Sequence, residues 1–368
     1  MRVFVIGTRG IPDVLGGVET HCQNLYPLLL DQGFSVTLIA RSPYVDYKES
    51  NYKGVSLLAI WASKKVAVEA TLHTFLSVLY ARLKSADLVH IHAIGPGLMV
   101  PFCKMLGLKV VFTHHGPDYD RQKWGWFASS ILKLGERFAI HFSDEVIVIS
   151  TVIEEILKEK YDFHRSHLIY NGVSISKINN IDYKYFLDKY ELGKNGYIVA
   201  VGRFVEEKGF HDLLDAYSTL KTNCKLVIVG DSDHETAYSK KLKEKALNTP
   251  NVILTGFIKK DELVAIFSSA RLFVMSSYHE GLPIALLEAM SYGLPVLVSD
   301  IPANLAVGLD KEDYYSVGDH EILARMIKEK LSSPRSIMDY SKYLALYDWN
   351  KIANKTASVY RQLSRKPQ

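Results

Sequence analysis

The stretch Leu272-Phe-Val-Met-Ser-Ser-Tyr-His-Glu280-Gly-Leu-Pro-Ile-Ala-Leu-Leu-Glu288-Ala-Met290 sets the architecture. It opens on a short apolar run of strand type and closes on an apolar segment of helix type. Gly281 and Pro283 punctuate the turn between them, and proline suits the first helical turn, where its missing N–H would have no partner anyway. The amides of Leu282, Ile284 and Ala285 are then expected to be free to face an anion, helped by the helix dipole. Glu280 and Glu288 bracket this helix start. Carboxylates beside an anion site make sense as acceptors for sugar hydroxyls on either side of a diphosphate. The segment therefore reads as a site for a nucleotide-diphosphate sugar.

Working outward, the same alternation of apolar run and helical pattern fills the chain of 368 residues. Candidate strands are Val3–Gly7, Val36–Ala40, Val55–Ile60, Leu88–His92, Val110–Thr113 and Val146–Ile149. A second series follows at Tyr197–Val201, Lys225–Val229, Val252–Leu254, Leu272–Met275 and Val296–Ser299. Continuous apolar runs separated by helices imply parallel sheets covered on both faces. The series restarts after Tyr170-Asn-Gly-Val173, and the polar, poorly periodic stretch Ser174–Gly196 reads as a crossover. The expected fold is α/β, with Rossmann-like domains at 1–171 and 172–346. A terminal segment, 347–368, carries the helical pattern Trp349–Leu363 and is expected to return to the first domain. Open parallel sheets bind ligands at the carboxyl ends of their strands, so two facing domains would make a cleft there.

Bulk properties narrow the function. At 48% apolar residues the chain has enough core for two domains. A net charge of +4 argues against a dedicated nucleic-acid binder. Cys22, Cys103 and Cys224 are far apart and suggest neither a disulfide framework nor a zinc site, which fits a reducing cytoplasm. The start, Met-Arg-Val-Phe-Val-Ile-Gly7, enters a strand directly with no export signal, and no apolar run is long enough to span a membrane. Gly7-Thr-Arg-Gly10 has the wrong spacing for a dinucleotide fingerprint, and the second strand ends in Ala40-Arg41 rather than in an acidic ribose ligand. A nicotinamide cofactor is not expected, although Arg41 leaves a phosphorylated form open.

Other candidates fall at strand ends. Gly16-Gly17 precedes a helix that starts near Val18. Glycines there let amides approach a phosphate closely, or simply close a loop onto a helix cap. The strand Tyr197–Val201 runs into Gly202-Arg203 and then Glu206-Glu207-Lys208-Gly209. Arg203 offers a planar fork for phosphate oxygens and Lys208 a mobile charge, either of which would neutralise a departing diphosphate. The alternative is a surface pair balanced by Glu206 and Glu207. In Thr113-His-His-Gly-Pro-Asp-Tyr-Asp-Arg121, His115 is either a contact for a substrate hydroxyl and the reacting centre or a satisfied structural group. Asp118, Asp120 and Arg121 are candidate acceptor contacts. Asp118-Tyr-Asp120 and Asp231-Ser-Asp233 match an Asp-x-Asp metal grip, but cations and a helix N-terminus at the diphosphate lessen the need for one, and no metal or other cofactor is expected. The basic, aromatic run Arg121–Phe138 reads either as a membrane-surface helix or as a core-facing helix with a solvated back, and Lys64-Lys65 adds basic character nearby.

Taken together these residues resemble the family-4 glycosyltransferases, retaining enzymes of the GT-B architecture with two facing Rossmann-like domains. The pieces are Gly16-Gly17, Gly202-Arg203 through Lys208-Gly209, Gly256-Phe-Ile258, and Glu280 to Glu288 running on into Ala-Met-Ser-Tyr-Gly-Leu-Pro295. The segment from His115 through Lys123-Trp124 is similar to a bacterial subgroup that includes rhamnosyltransferase-like polysaccharide enzymes. The resemblance implies that Glu288 accepts hydrogen bonds from the nucleotide ribose and that Glu280 contacts the donor sugar. It further implies that Arg203 and Lys208 hold the diphosphate, that Phe257 and Ile258 lie along the base, and that Gly16-Gly17 close on the phosphates from the other domain. Gly281, Leu282, Pro283 and Ile284 complete the donor site. The leaving diphosphate would itself take the acceptor proton, without a protein nucleophile or a metal.

The leading expectation is a cytoplasmic enzyme, peripheral at the inner face of the membrane, working in bacterial surface polysaccharide biosynthesis. It would move a sugar with retention from a UDP, GDP or dTDP donor to a glycan or lipid-linked glycan. A nucleotide-sugar epimerase on the same scaffold needs acids or bases around C2, and no convincing set is visible. A nucleotide-sugar-binding protein without turnover would not be expected to keep both cations and both glutamates. Acceptor choice is expected in the loops Tyr44–Lys53 and Pro117–Trp126.

Overall fold

The computed structural model describes every residue except 15, 64–65, 118, 120–125, 174–182, 233–234 and 366–368. The chain divides into two compact units, Met1–Gly172 with Leu346–Gln368, and Val173–Ala345.

The first unit holds β1 (Arg2–Ile6), β2 (Ser35–Arg41), β3 (Glu49–Tyr52), β4 (Val55–Ile60), β5 (Leu88–His92), β6 (Val110–His114), β7 (Glu145–Val148) and β8 (Ser166–Leu168). They form one sheet in the order β3-β4-β2-β1-β5-β6-β7-β8. The described pairings are parallel apart from β3 on β4. This edge strand corrects the assignment of Tyr44–Lys53 to a loop. Its polar, mostly exposed residues carry no apolar run to announce it. What builds it is the turn: Lys53 at φ 48° and Gly54 at φ 89° give the consecutive left-handed residues that a tight hairpin needs.

The second unit holds β9 (Tyr197–Val201), β10 (Lys225–Val229), β11 (Val252–Gly256), β12 (Leu272–Met275), β13 (Val296–Ser299) and the two-residue β14 (Tyr314–Tyr315). All pair in parallel, in the order β11-β10-β9-β12-β13-β14. The strand order reverses between β9 and β12 here, and between β1 and β5 in the first unit. Those are the points where open sheets leave a crevice for ligands.

Burial explains the order. Strands β5, β6, β12 and β13 are buried along their whole length. In the first unit the helix Gly17–Leu30 lays Cys22, Leu25, Tyr26 and Leu29 against Val3, Val5 and Leu38. The terminal helix Trp349–Arg365 joins the same core through Ile352, Ala353, Tyr360 and Leu363. In the second unit the helices Phe210–Ser218 and His320–Ser332 cover one face through Leu213, Leu214, Leu323 and Ile327. The crossover segment, read as irregular, contains a helix at Tyr183–Lys189, whose buried Leu187 anchors it. Among the described residues no helix is long and apolar enough to cross a membrane.

Candidate active site

At the switch point of the second unit, three glycines let backbone segments touch. A Cβ on Gly230, which follows β10 at φ 128°, would lie 2.0 Å from the carbonyl oxygen of Gly202. A Cβ on Gly209, at φ 61°, would lie 2.0 Å from the Ser276 carbonyl oxygen. Over Gly202 there is just room for the Lys208 stem, whose Cδ would be 3.3 Å from an added Cβ. The loop after β9 is thereby pressed onto the loop after β12, and the Ser276 hydroxyl donates to the Lys208 carbonyl at 3.0 Å.

This packing delivers Lys208 to Glu280. The ammonium donates to Glu280 Oε1 at 2.6 Å, and the Ser277 hydroxyl donates to the same oxygen at 2.7 Å. Both side chains are largely shielded, 20% and 10% exposed. The Ser277 carbonyl is in turn held by the Ser299 hydroxyl at 2.6 Å, so the carboxylate sits on a braced loop. Lys208 is therefore not balanced by Glu206 and Glu207, as the surface-pair alternative had it; Glu207 instead gives its carbonyl to the Tyr278 amide at 2.8 Å. Arg203 follows the Gly202 turn and is half-buried.

The helix after Glu280 runs Ile284–Ser291, with Pro283 as its cap residue and not inside its first turn. One of the three amides expected to be free is engaged: Ile284 N–H turns back to the Leu282 carbonyl at 2.9 Å. The reason is local, because Pro283 at ψ 72° folds the chain tightly enough for that contact. Leu282 and Pro283 are buried, and Gly281 and Glu288 are half-buried. Phe257 is 46% exposed and Ile258 half-buried, just past β11, where Gly256 takes φ 69°. Asp231 is held by Lys243 at 2.7 Å and by the Ser232 amide at 2.7 Å, which occupies the described member of the second Asp-x-Asp pattern. Its partner Asp233, like Asp118, Asp120, Arg121, Lys64, Lys65, Lys123 and Trp124, lies outside the described residues.

In the first unit Gly16 caps the helix Gly17–Leu30 at φ 149°. The space over it is filled by Glu19, whose Oε2 would be 2.0 Å from an added Cβ. Glu19 is buried and accepts from the Arg9 amide at 2.9 Å. A local carboxylate thus gives this glycine a structural reason.

His115 lies in a network that the sequence reading did not assemble. Alternation along β5 puts His90 and His92 on one face, with His90 opposite Val111 and His92 opposite Thr113. His90 Nε2 is 2.7 Å from Thr113 Oγ1, and His90 Nδ1 is 2.9 Å from Tyr26 Oη and 2.5 Å from Tyr360 Oη. His92 Nε2 is 2.5 Å from Tyr26 Oη, and His92 Nδ1 is 2.8 Å from His115 Nε2. His21, from the helix Gly17–Leu30, meets the ring of His115 edge-on at 5.1 Å. Burial lowers the His21 pKa to about 4. Burial and then the neighbouring imidazoles lower His92 and His115 well below the usual value. These rings are neutral at pH 7. The signal in the sequence was the His-x-His spacing of Val89-His-Ile-His92.

The opposite face of β6 carries a separate polar cluster. His114 Nδ1 accepts from the Gly116 amide at 3.1 Å, which leaves its proton on Nε2 for Glu136 at 2.8 Å. Glu136, fully buried, also accepts from Tyr119, Lys160 and Tyr161 at 3.1, 3.0 and 2.5 Å. Burial alone would raise its pKa, but the hydrogen bond from His114 and those from Tyr161 and Lys160 outweigh it and hold the carboxyl at about 2. The helix Trp126–Phe142 that carries Glu136 also buries Ala139 and Ile140. It leaves Trp126 85% exposed, along with Leu134 and Phe142.

Two parallel α/β units, one with a lysine–glutamate contact at its strand-order reversal, frame the candidate site, and comparison with known proteins gives its class. The family model for glycosyl transferases group 1 matches residues 186–345, and that for Glycosyltransferase Family 4 matches residues 15–177. The chain belongs to these glycosyltransferases. It is 26% identical to the amylovoran biosynthesis glycosyltransferase AmsD of Erwinia amylovora over 62% of this chain and 67% of that protein. It is also 26% identical to a UDP-Gal:alpha-D-GlcNAc-diphosphoundecaprenol alpha-1,3-galactosyltransferase of Escherichia coli over 94% of each. Among solved structures, sucrose-phosphate synthase of Thermosynechococcus elongatus superimposes with a TM-score of 0.85, at 21% identity over 99% of both chains. HepE of Anabaena, in complex with UDP-glucose, gives 0.79 at 16% identity over 98% of this chain and 99% of that one. The fold is GT-B, and the chain is a glycosyltransferase whose relatives include enzymes of bacterial polysaccharide biosynthesis.

Proposed function

We propose that this enzyme moves a sugar from a nucleotide-diphosphate donor to a glycan or lipid-linked glycan, with retention at the anomeric carbon. The observation that supports this most is the contact of Lys208 with Glu280 at the reversal between β9 and β12. An ammonium already neutralised by a carboxylate can exchange that partner for a diphosphate oxygen. Glu280 is then left to accept from a sugar hydroxyl. Arg203 adds a second cation, Glu288 accepts from the ribose, and Phe257 and Ile258 lie along the base. In the transfer, the bond from C1 to the diphosphate oxygen breaks as the bond from C1 to the acceptor oxygen forms on the same face. The acceptor proton passes to the leaving phosphate oxygen. Charge building there is met by Lys208 and Arg203, without a divalent metal.

The test is incubation with UDP-, GDP- and dTDP-sugars in the presence of EDTA. Slow release of free nucleoside diphosphate from one donor series is the expected result. A C2-epimerised sugar nucleotide, binding without turnover, or complete loss in EDTA that Mg2+ or Mn2+ restores would overturn the assignment. Exposed Trp126, Leu134 and Phe142 support a peripheral contact with an anionic membrane, where a lipid-linked acceptor would be met. Sedimentation with phosphatidylglycerol vesicles checks it, and a Trp126→Ala chain that binds them as well as the parent would count against it.

A further inference from the structure

One ring nitrogen from each of His21, His92 and His115 lies within 4.8 Å of the others. The three come from separate places, the helix Gly17–Leu30, the end of β5 and the residue after β6, so sequence proximity does not explain the convergence. We propose that His21, His92 and His115 form a site for one borderline-soft divalent transition ion of the Zn2+ type, with its fourth position left to water.

Geometry and donor chemistry both favour this occupant. A tetrahedral ion with metal–nitrogen bonds near 2.0–2.1 Å spaces its ligand nitrogens about 3.3 Å apart. His92 Nδ1 and His115 Nε2, now 2.8 Å apart, need to open by about half an ångström. The wider separations close with ring movements of less than about 1 Å each. Three imidazoles without a carboxylate select zinc-like ions over magnesium or calcium, which take oxygen ligands. The outer contacts are also those of a metal ligand: His92 Nε2 is tied to Tyr26 Oη, and Tyr26 to His90, which fixes the His92 ring with Nδ1 turned to the cluster.

His21 supplies a second, independent sign. It is 3% exposed, and although its ring lies beside the Asn171 side chain, its Nδ1 meets no partner in hydrogen-bonding geometry. A buried ring nitrogen left outside hydrogen-bonding geometry is rare in a folded chain, and a water or an ion would satisfy it. A water would satisfy His21 alone. An ion accounts for His21 and for the convergence of His92 and His115.

The experiment uses the full chain, stripped with EDTA, desalted and titrated with Co2+ while visible absorption is followed; Zn2+ is then added as competitor. The expected result is one Co2+ per chain, with the intense bands of a four-coordinate site, displaced by Zn2+. His21→Ala and His115→Ala should each weaken uptake by about 100-fold or more, whereas His164→Ala, at an exposed histidine paired with Asp162, should not change it. X-ray absorption of the zinc-loaded parent chain should count close to three imidazoles, which decides the matter even where a variant fails to fold. Lack of stoichiometric uptake would overturn the site. So would uptake that both variants leave unchanged, or a shell with a single imidazole. No sugar donor enters the measurement, so its outcome is independent of the transfer reaction.

Discussion

At the scale of single residues, the proposed donor site rests on Lys208, Glu280 and the glycines that let them meet. Lys208→Ala removes the cation and leaves Glu280 with only Ser277 on that oxygen. Its turnover should fall about 100-fold to 1,000-fold, the scale of losing one preorganised stabiliser of a leaving group. Steady-state kinetics with the preferred donor measures this, and a turnover within a few-fold of the parent would exclude Lys208 from the chemistry. Glu288→Ala should weaken nucleotide binding by more than about 1 kcal/mol, as expected for a lost charged hydrogen bond. Isothermal titration with the nucleoside diphosphate reads it directly. Gly209→Ala tests the scaffold instead: its Cβ would lie 2.0 Å from the Ser276 carbonyl at a left-handed φ of 61°. A stability loss of about 1–3 kcal/mol is expected from such strain, visible as a lowered melting temperature, with activity falling alongside because the loop carrying Lys208 is displaced.

At the scale of elements, β5 and β6 are unusual for central parallel strands because they carry buried polar side chains. Their two faces serve different networks. His90, His92 and Thr113 face the helix Gly17–Leu30, while His114 faces the helix Trp126–Phe142 through Glu136. Glu136 joins Tyr119, Lys160 and Tyr161 to that helix. Glu136→Ala should destabilise the chain by about 3–5 kcal/mol, since it strands buried partners, and denaturant unfolding measures it. The pH dependence has a definite sign. The carboxyl is held at about 2 in the folded chain, below its unfolded value. Its contribution is therefore present above about pH 4.5 and lost as pH falls toward 2. In Glu136→Gln that segment of the stability curve should flatten; a curve parallel to the parent would show that another group governs it.

At the scale of the whole molecule, the two units differ in their response to acid. His21, His73, His90, His92 and His115 all have imidazole pKa values lowered, first by burial, and all lie in the first unit. A buried neutral histidine cannot take the proton that its unfolded counterpart binds. Stability is therefore undiminished above about pH 6.5 and declines as pH falls below it. For His21 and His73, held at about 4, the loss at pH 5 is about 2 kcal/mol each. Hydrogen exchange between pH 7 and 5 should show amides of β5 and the helix Gly17–Leu30 losing protection before those of β9 and β12. Equal loss in both units, or earlier loss in the second, would contradict this account.

Most of the strand series, and the turns that carry the proposed donor residues, were legible in the chain itself. Apolar runs of strand length, spaced by helical patterns, can be buried only as covered parallel sheets. The Gly281-Leu-Pro283 turn and the Gly202 and Gly209 positions are local requirements written in neighbouring residues. What lay beyond that reach depended on which strands became neighbours. Lys208 meets Glu280 because β9 lies beside β12, 72 positions apart in the chain. The histidines converge because β5 lies beside β6, under a helix that brings His21 from near the start. β3 exists because of a hairpin and not because of its own side chains. Short-range spacing encodes turns and faces; the partners of a charge or an imidazole are decided only when the sheet order closes.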